Sequence, residues 1–360
     1  MTENEFVPRP YAIQQENGST IWQAPSNIAL VKYWGKKEKQ LPANPSLSFT
    51  LKTSVTTTRL TYRRRKTPDD AFSFEVMLDK EPKEDFRPKI RTFFDRAFPY
   101  LPFLKDFHFT IETTNSFPHS SGIASSASGL AALALCLTDL EKQWVPDMNE
   151  VFFNRKASFL ARLGSGSAGR SIQGPLMQWG RHPDIEGSSD LYAIPYPLKV
   201  HDIFQGYRDT ILLVDRGRKP VSSTLGHDLM KGHPFASARY TQAMDHLNAV
   251  EGVLASGDLD EFTAIVEQEA LSLHAMMMTS RPYFILMRPH TLNIIQRVWA
   301  YRESSGLPLC FTLDAGANVH LLYPEDVREA VEAFIKESLV EYCEKGQYIC
   351  DQIGFGAKKM

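Results

Sequence analysis

The feature that most constrains this chain is a loop of small residues between a strand-like and a helix-like segment. The loop, Pro118-His-Ser-Ser-Gly-Ile-Ala-Ser-Ser-Ala-Ser-Gly129, follows Phe107–Glu112, where apolar and polar residues alternate as in a strand with one buried face. Leu130–Leu137 comes next and has high helix propensity without a breaker. Backbone N–H groups at the start of a buried helix bind phosphate well. A Ser/Gly-rich turn capping a core helix explains the same residues, and no Gly-Lys-Ser/Thr ending makes this a Walker loop.

Composition limits the size class and the partners. With 360 residues, of which 43% are hydrophobic, the chain favours two domains over one. A formal net charge of -2 gives no sign of a nucleic-acid or membrane surface. The dense basic run Arg63–Lys66 is expected at a solvated hairpin tip. We expect no nucleic-acid partner, and no apolar stretch is long enough to span a bilayer.

The cysteines and the N-terminus indicate the compartment. The four cysteines have no metal-ligand spacing, and Cys136 and Cys310 lie in apolar surroundings typical of reduced core thiols. No N-terminal run resembles a signal peptide. We therefore expect a cytoplasmic protein.

Strands and helices are mixed in both halves of the chain without regular βαβ alternation, which favours an α+β fold. A Pro-rich stretch near Tyr192–Leu198 places the expected boundary near residue 200, giving domains 1–200 and 201–360. Strands are predicted at 20–23, 46–51, 56–62, 72–78, 107–112, 210–214, 310–313, 319–323 and 348–353. Helices are predicted around 89–94 and at 130–137, 149–163, 240–255, 259–278, 291–303 and 324–339.

Cationic and aromatic side chains alternate at the end of Ala24-Pro-Ser-Asn-Ile-Ala-Leu-Val-Lys-Tyr-Trp-Gly-Lys36. Lys32 and Lys36 beside Tyr33 and Trp34 suit a site for an anionic small molecule, with cations for charge and rings for shape. A strand end with extended surface lysines explains this pattern as well.

Three later segments also carry polar groups suited to catalysis. Leu163-Gly-Ser-Gly-Ser-Ala-Gly-Arg-Ser171 ends a small-residue loop in an arginine, whose planar fork binds carboxylate or phosphate. In Phe311-Thr-Leu-Asp-Ala-Gly-Ala-Asn-Val319 a single acid, Asp314, suits a base acting on a hydroxyl. Pro220–Gly226 is a third hydroxyl-rich loop. A Gly/Ser linker, a hairpin turn and a helix N-cap are the respective alternatives.

The order of these motifs resembles the diphosphomevalonate decarboxylases of the GHMP kinase superfamily. The likeness extends from about residue 20 to about residue 325, and its most specific parts are Lys32-Tyr-Trp-Gly-Lys36 and Ser165-Gly-Ser-Ala-Gly-Arg-Ser171. It implies the GHMP kinase fold, with an N-terminal ribosomal-protein-like α+β domain, a ferredoxin-like C-terminal domain and the active site between them. It also implies an ATP- and Mg²⁺-dependent homodimer that converts diphosphomevalonate to isopentenyl diphosphate, carbon dioxide, ADP and phosphate.

The resemblance also implies roles for individual residues. Asp314 corresponds to the base on the tertiary hydroxyl, Arg170 to the residue that holds the substrate carboxylate, and Lys32 to the lysine that assists phosphoryl transfer. Substrate-binding positions are Tyr33, Trp34, Gly35, Lys36, Lys89, Ser165, Gly166, Ser167, Ala168, Gly169, Arg170, Ser223 and Thr224. ATP-binding positions are Ser120, Ser121, Gly122, Ile123, Ala124, Ser125, Ser126, Ala127 and Ser128, with Ser126 as a magnesium ligand.

The chain departs from the family pattern at a few positions. Ala317 stands where proline is usual, Gly169 where cysteine is common, and His227 where methionine often lines the substrate end. His119-Ser120-Ser121 replaces a more apolar start of the ATP loop. We expect these changes to alter fit rather than chemistry. The alternative functions are a mevalonate-type kinase without decarboxylation and a non-catalytic metabolite sensor on the same fold.

Overall fold

Two β-sheets, each covered by helices, form the molecule in a computed structural model. It describes residues 2–67, 69–118, 123, 125–217 and 223–360, without the side chains of residues 223 and 224. The first sheet contains β1 (Asn17–Val31), β2 (Ser46–Arg64), β3 (Ser73–Leu78), β4 (Glu81–Pro82), β5 (Phe107–Asn115), β6 (Leu176–Trp179), β7 (Ala193–Pro195) and the C-terminal β12 (Lys358–Lys359). The second contains β8 (Arg208–Leu212), β9 (Cys310–Thr312), β10 (Val319–Tyr323) and β11 (Tyr348–Gln352).

The first sheet has the order β12-β1-β2-β5-β3-β4, and β6 pairs with both β2 and β7. The predicted strands 46–51 and 56–62 are one long strand, β2, whose first part pairs with β6 and whose second part pairs with β5. The expected hairpin at Arg63–Lys66 is wrong, because β3 pairs in parallel with β5 and not with β2. Arg63 and Arg64 are nevertheless exposed at the end of β2.

The helices of the first half are α1 (Arg87–Ala97), α2 (Ser125–Trp144) and α3 (Glu150–Gly164). The apolar run predicted as a helix at 130–137 is the buried centre of α2, which lies in the main core of this half. The Asn149 side chain accepts a hydrogen bond from Phe152 N at 2.9 Å and so caps the start of α3. A turn of 3₁₀ helix, Gly166–Ser171, follows directly.

The second half contains α4 (Ser223–Asp228), α5 (Ala236–Ser256), α6 (Leu259–Met278), α7 (Pro289–Ser305) and α8 (Arg328–Phe334). The predicted limits of α6 are confirmed. The helix predicted at 324–339 is a shorter α-helix, α8, followed by a π-helical turn at Ile335–Leu339. Its sheet is antiparallel in the order β11-β8-β10-β9. In the chain, helices follow β8 and β10. This is the ferredoxin-like arrangement. The predicted α+β class is confirmed.

One apolar cluster joins the two halves. Ile28, Leu30 and Phe49 from β1 and β2 pack with Leu247 of α5 and Phe262 of α6. The second half of β1 is buried, and Lys32, which follows it, contacts Asp314 in the loop between β9 and β10 of the second sheet. Among the described residues, no helix is both long and apolar enough to cross a membrane.

Candidate active site

Lys32 and Asp314 meet where the two halves of the chain come together. Lys32 follows the last residue of β1, and Asp314 lies in the loop that joins β9 to β10. Lys32 Nζ is 3.2 Å from Asp314 Oδ1, and the two side chains are 2% and 28% exposed. Burial lowers the pKa of Lys32, and the nearby carboxylates of Asp314 and Glu269 oppose this shift. Asp314 is thus both in a hairpin loop and paired with a buried cation.

Arg170 lies close to this pair, in the 3₁₀ turn that follows α3. Its Nε and Nη2 atoms each lie 3.4 Å from Asn27 Oδ1, and Nη1 donates to the Ser46 hydroxyl. Only 3% of the residue is exposed. Burial lowers the pKa of Arg170 to about 10, although the negative charge of Asp314 acts in the opposite direction. The guanidinium is therefore a fixed cation near the Asp314 carboxylate.

The segment Tyr33–Lys36 packs against α4. Gly35 has a φ of +99° and donates its backbone N–H to His227 Nδ1 at 3.0 Å. The His227 ring lies 4.3 Å from the Tyr33 ring and 4.6 Å from the Trp34 ring, measured between centroids. Lys36 Nζ lies 3.5 Å from Asp228 Oδ1, so α4 contacts this segment through two successive residues.

His227 is uncharged in this position. Burial, followed by the positive charges of Lys36 and Arg170, lowers the pKa of His227 to about 3. Because Nδ1 accepts the Gly35 N–H, the ring proton is on Nε2. His227, which stands where the family often has methionine, therefore provides a neutral ring with a defined tautomer.

The small-residue loop 165–169 lies against Tyr33 and Asn27. A Cβ on Gly166 would come within 2.8 Å of the Tyr33 hydroxyl, and the backbone oxygen of Ser167 accepts from Asn27 Nδ2 at 3.3 Å. Ala168 N donates to Ser165 O at 2.8 Å, which closes the turn. Tyr33 and Trp179 thus leave little room for a side chain at position 166.

Gly169 and Ala317 are two of the positions that depart from the family pattern. A Cβ on Gly169 would come within 3.1 Å of the Ser158 hydroxyl, which donates to the Gly169 carbonyl at 2.9 Å. Glycine at position 169 therefore leaves room for the Ser158 side chain on α3. Ala317 is 8% exposed, and its carbonyl accepts from the Thr291 hydroxyl at 2.6 Å.

The loop 118–129 is described only in part. Ser120, Ser121, Gly122 and Ala124 lie outside the described residues, as does His119. α2 begins at Ser125, and the predicted helix after the loop is present. Ile123 is held through its carbonyl, which accepts from the Ser26 hydroxyl at 2.6 Å. The Ser128 hydroxyl lies 2.6 Å from that of Thr56 on β2, and Ala127 is buried.

A cavity of about 290 Å³ opens beside the start of α2. Apolar side chains such as Ile111 and Leu133 form part of its wall, and Lys89 and Ser126 are among its polar residues. Lys89 Nζ donates to Ser126 Oγ at 2.6 Å. Lys89 therefore contacts the loop assigned to ATP, although the resemblance assigns it to the substrate diphosphate.

The third loop lies largely outside the described residues. Residues 218–222 are among those not described, and for Ser223 and Thr224 only the backbone, at the start of α4, is described. The predicted substrate contacts of these two side chains stay predictions.

Sequence reasoning assigned no role in the site to several buried residues that hold it together. Glu269 and His274 of α6 contact Lys32 and Asp314, and Asn27, Asn44 and Ser46 fix the surrounding backbone and Arg170. No local signal distinguished Glu269, because α6 also carries Asp260, Glu261 and Glu267. His274 is also buried, with 1% of the residue exposed.

The combined geometry suits a reaction between anions. Two buried cations, Lys32 and Arg170, lie close to the Asp314 carboxylate, and a third cation, Lys36, pairs with Asp228 of α4. Such an arrangement can neutralise phosphate and carboxylate groups while Asp314 accepts a proton. No cluster of three or more metal-binding side chains occurs within the described ranges.

Comparison with known families covers most of the chain. Residues 24–192 match the diphosphomevalonate decarboxylase-like N-terminal domain, and residues 210–354 match the mevalonate 5-diphosphate decarboxylase C-terminal domain. The chain is 30% identical to the diphosphomevalonate decarboxylase of Aspergillus fumigatus over 332 residues, which cover 88% of this chain and 79% of that protein. It is 27% identical to the Bos taurus enzyme over 336 residues, covering 88% and 79%.

Solved structures agree with this result. The mevalonate diphosphate decarboxylase from Staphylococcus aureus superimposes with a TM-score of 0.80 at 28% identity, covering 96% of this chain and 98% of that one. A structure described as MDDEF in complex with MVAPP, AMPPCP and magnesium gives a TM-score of 0.81 at 29% identity, with coverage of 95% and 98%. The GHMP kinase fold expected from the resemblance is thereby confirmed. This chain belongs to the diphosphomevalonate decarboxylase family.

Proposed function

We propose that this chain catalyses the ATP-dependent decarboxylation of diphosphomevalonate to isopentenyl diphosphate in the mevalonate pathway. The observation that carries the proposal is the pairing of the buried Lys32 with Asp314, with Arg170 close by, in a chain of this family. Family membership favours this reaction over a kinase that stops after phosphorylation and over a non-catalytic sensor.

In the proposed reaction, Asp314 accepts the proton of the tertiary hydroxyl as its oxygen attacks the γ-phosphate of ATP, and ADP leaves. The new phosphate ester is a better leaving group than hydroxide. When phosphate leaves with the C–O electron pair, the electrons of the adjacent C–C bond form the double bond, and the carboxylate departs as carbon dioxide. Lys32 supplies positive charge beside the transferred group.

Arg170 and Lys36 bind the ends of the substrate in this proposal. Arg170 is held by Asn27 and Ser46, so its guanidinium is oriented before a carboxylate arrives. Lys36 is 14% exposed in its side chain and adds charge for the diphosphate, with Tyr33, Trp34 and the 165–169 loop shaping the pocket. Ser223 and Thr224, at the start of α4, are proposed to bind the substrate as well.

ATP is proposed to bind at the start of α2, along residues 120–128. The apolar cavity beside Lys89 and Ser126 suits the nucleotide base, because flat aromatic rings bind well between apolar walls. Lys89 then serves the nucleotide rather than the diphosphate. A substitution that fills the cavity, Leu133→Trp, is expected to weaken ATP binding while leaving diphosphomevalonate binding intact, as measured by calorimetry with each ligand separately.

Mg²⁺ is proposed to enter with the nucleotide. Magnesium is commonly held by phosphates, waters and only one or two protein oxygens, which fits a chain whose described residues contain no metal-binding cluster. Ser126 is the proposed protein ligand, and its hydroxyl would first have to release the Lys89 ammonium. Bound magnesium would neutralise charge on the phosphates.

We further propose that the protein is a cytoplasmic homodimer. All four cysteines are free thiols and three are buried, which fits a reducing compartment. Light scattering coupled to gel filtration is expected to give twice the 40.8 kDa mass of the chain. A mass of one chain at working concentration would contradict the dimer and leave the enzymatic proposal intact.

The decisive experiment uses purified protein, Mg²⁺, ATP and diphosphomevalonate with a labelled carboxylate. Equal release of labelled carbon dioxide and ADP is expected, and both should be lost in Asp314→Ala. ADP without carbon dioxide would indicate a kinase. Neither product would indicate a sensor, and either result would overturn the proposed reaction.

A further inference from the structure

One helix, α6, contacts both members of the Lys32–Asp314 pair. Glu269 Oε2 accepts the backbone N–H of Lys32 at 2.7 Å, and five residues later His274 Nε2 lies 3.1 Å from the backbone oxygen of Asp314. Glu269 and His274 are 0% and 1% exposed. We propose that Glu269 and His274 are positioning residues, through which α6 sets the separation of Lys32 and Asp314 and supports the charge on Lys32.

Glu269 is a buried anion with several donors. Besides the Lys32 N–H, it accepts from Arg239, with which it forms an ion pair, and from His246 Nδ1 at 2.6 Å. Burial alone would raise the pKa of Glu269, but these hydrogen bonds and the charge of Arg239 hold it below its ordinary value. The carboxylate is therefore ionised at neutral pH.

Glu269 affects Lys32 in two ways, through its hydrogen bond to the backbone N–H and through its negative charge. Four charged groups from different elements influence the Lys32 ammonium: Asp314 in the β9–β10 loop, Glu269 on α6, Arg170 in the 3₁₀ turn and Asp209 on β8. Asp209 is itself paired with His320 of β10, their closest atoms 2.8 Å apart. Because Lys32 is almost completely buried, its ammonium has little water to stabilise it and depends on these carboxylates.

His274 acts on the other member of the pair. A carbonyl oxygen can only accept, so His274 Nε2 carries the proton in its bond to Asp314 O. Asp314 lies in the loop just after the short strand β9, where this bond restrains the backbone that carries the carboxylate. An error of about 1 Å in such a position can reduce a rate by about 100-fold.

The first test removes the charge of Glu269 but keeps its shape. In Glu269→Gln, the Lys32 pKa is expected to fall below its wild-type value, measured by NMR on protein labelled at the lysine ε carbons and assigned with Lys32→Met. The alkaline limb of the kcat profile should move to lower pH in parallel. Glu141→Gln is the matched control, because Glu141 of α2 is equally buried and its Oε2 lies 2.6 Å from Nζ of Lys156 on α3. It should lose stability without changing the Lys32 pKa.

The second test concerns His274 and does not depend on Glu269→Gln folding well. His274→Leu removes the donor, while His274→Gln can place an amide N–H near the same position. We expect kcat to fall by about 10- to 100-fold in His274→Leu, with unchanged KM for both substrates, and to recover partly in His274→Gln.

The inference rests on the proposed roles of Lys32 and Asp314, but the two can fail separately. The NMR measurement requires no turnover, so it tests the effect of Glu269 even if no carbon dioxide is released. An unchanged Lys32 pKa in folded Glu269→Gln would overturn the inference and leave the reaction intact. Wild-type kcat in His274→Leu would also overturn it.

Discussion

Lys32 Nζ lies 3.2 Å from Asp314 Oδ1, although the two residues are 282 positions apart in the chain. The pair forms because the end of β1 reaches the loop between β9 and β10, in the second sheet. Each side chain alters the other: the lysine stabilises the carboxylate as an anion, and the carboxylate opposes the loss of the lysine proton that burial favours. This pair is the centre of the proposed chemistry.

The first prediction concerns Asp314 as the base. Asp314→Asn keeps the shape but loses the ability to take a proton, so ADP and carbon dioxide release should both fall by about 100- to 10,000-fold. Single-turnover experiments with labelled substrate measure this directly. Asp139→Asn is a suitable control, since Asp139 of α2 pairs with Lys359 of β12 at 2.8 Å, in the first half of the molecule. A variant at 314 with near wild-type turnover would refute the assignment.

The second prediction concerns His227, whose Nδ1 accepts the Gly35 N–H. His227→Met replaces the ring nitrogen with a thioether sulfur, which is only a weak acceptor, and the weakened bond should raise KM for diphosphomevalonate by up to about 10-fold with little change in kcat. His227→Asn retains an acceptor and should be affected less. Because the pKa of His227 is about 3, wild-type KM should show no titration of this residue between about pH 6 and 8. Equal KM values in the Met and Asn variants would contradict the predicted role.

The third prediction concerns the turn at Gly35. Its φ of +99° disfavours any side chain, and an added Cβ would lie 2.3 Å from the Tyr240 hydroxyl. Gly35→Ala should therefore lower the free energy of unfolding by about 1–3 kcal/mol, measured by denaturant titration. Adding Tyr240→Ala should relieve the clash but not the backbone strain.

Gly252 provides a control for this change. It lies in α5 with no atom within 4 Å of an added Cβ, so Gly252→Ala should stabilise the protein by about 0.5–1 kcal/mol. A Gly35→Ala variant as stable as wild type would show that the turn tolerates a side chain.

The fourth prediction concerns the pH dependence contributed by Glu269. Its pKa is lowered in the folded protein relative to an ordinary value of 4.5, so the native state favours the ionised form. The stabilisation is present above pH 4.5 and is lost as the pH falls through the lowered folded-state pKa. The difference in unfolding free energy between wild type and Glu269→Gln should therefore shrink in acid. A constant difference would mean that the charge of Glu269 does not contribute.

Local sequence patterns were sufficient for many parts of the fold. The alternation in Phe107–Glu112 and the long apolar pattern of α6 predicted β5 and α6, because burial of one face imposes a period that is visible in a short window. The same reasoning divided β2 into two strands and placed Arg63–Lys66 in a hairpin. Strand pairing depends on distant residues, so a local pattern cannot specify that β3 joins β5.

By itself the sequence determined the α+β class, the family and the identity of the polar residues available for the site. The motif order was specific enough to bring Lys32, Arg170 and Asp314 together as one set. Only the tertiary structure decided how they are held: the contacts of Glu269 and His274, the neutral tautomer of His227 and the place of Lys89 beside Ser126. Each of these depends on groups far apart in the chain, whose burial and separation arise only when the two sheets pack together.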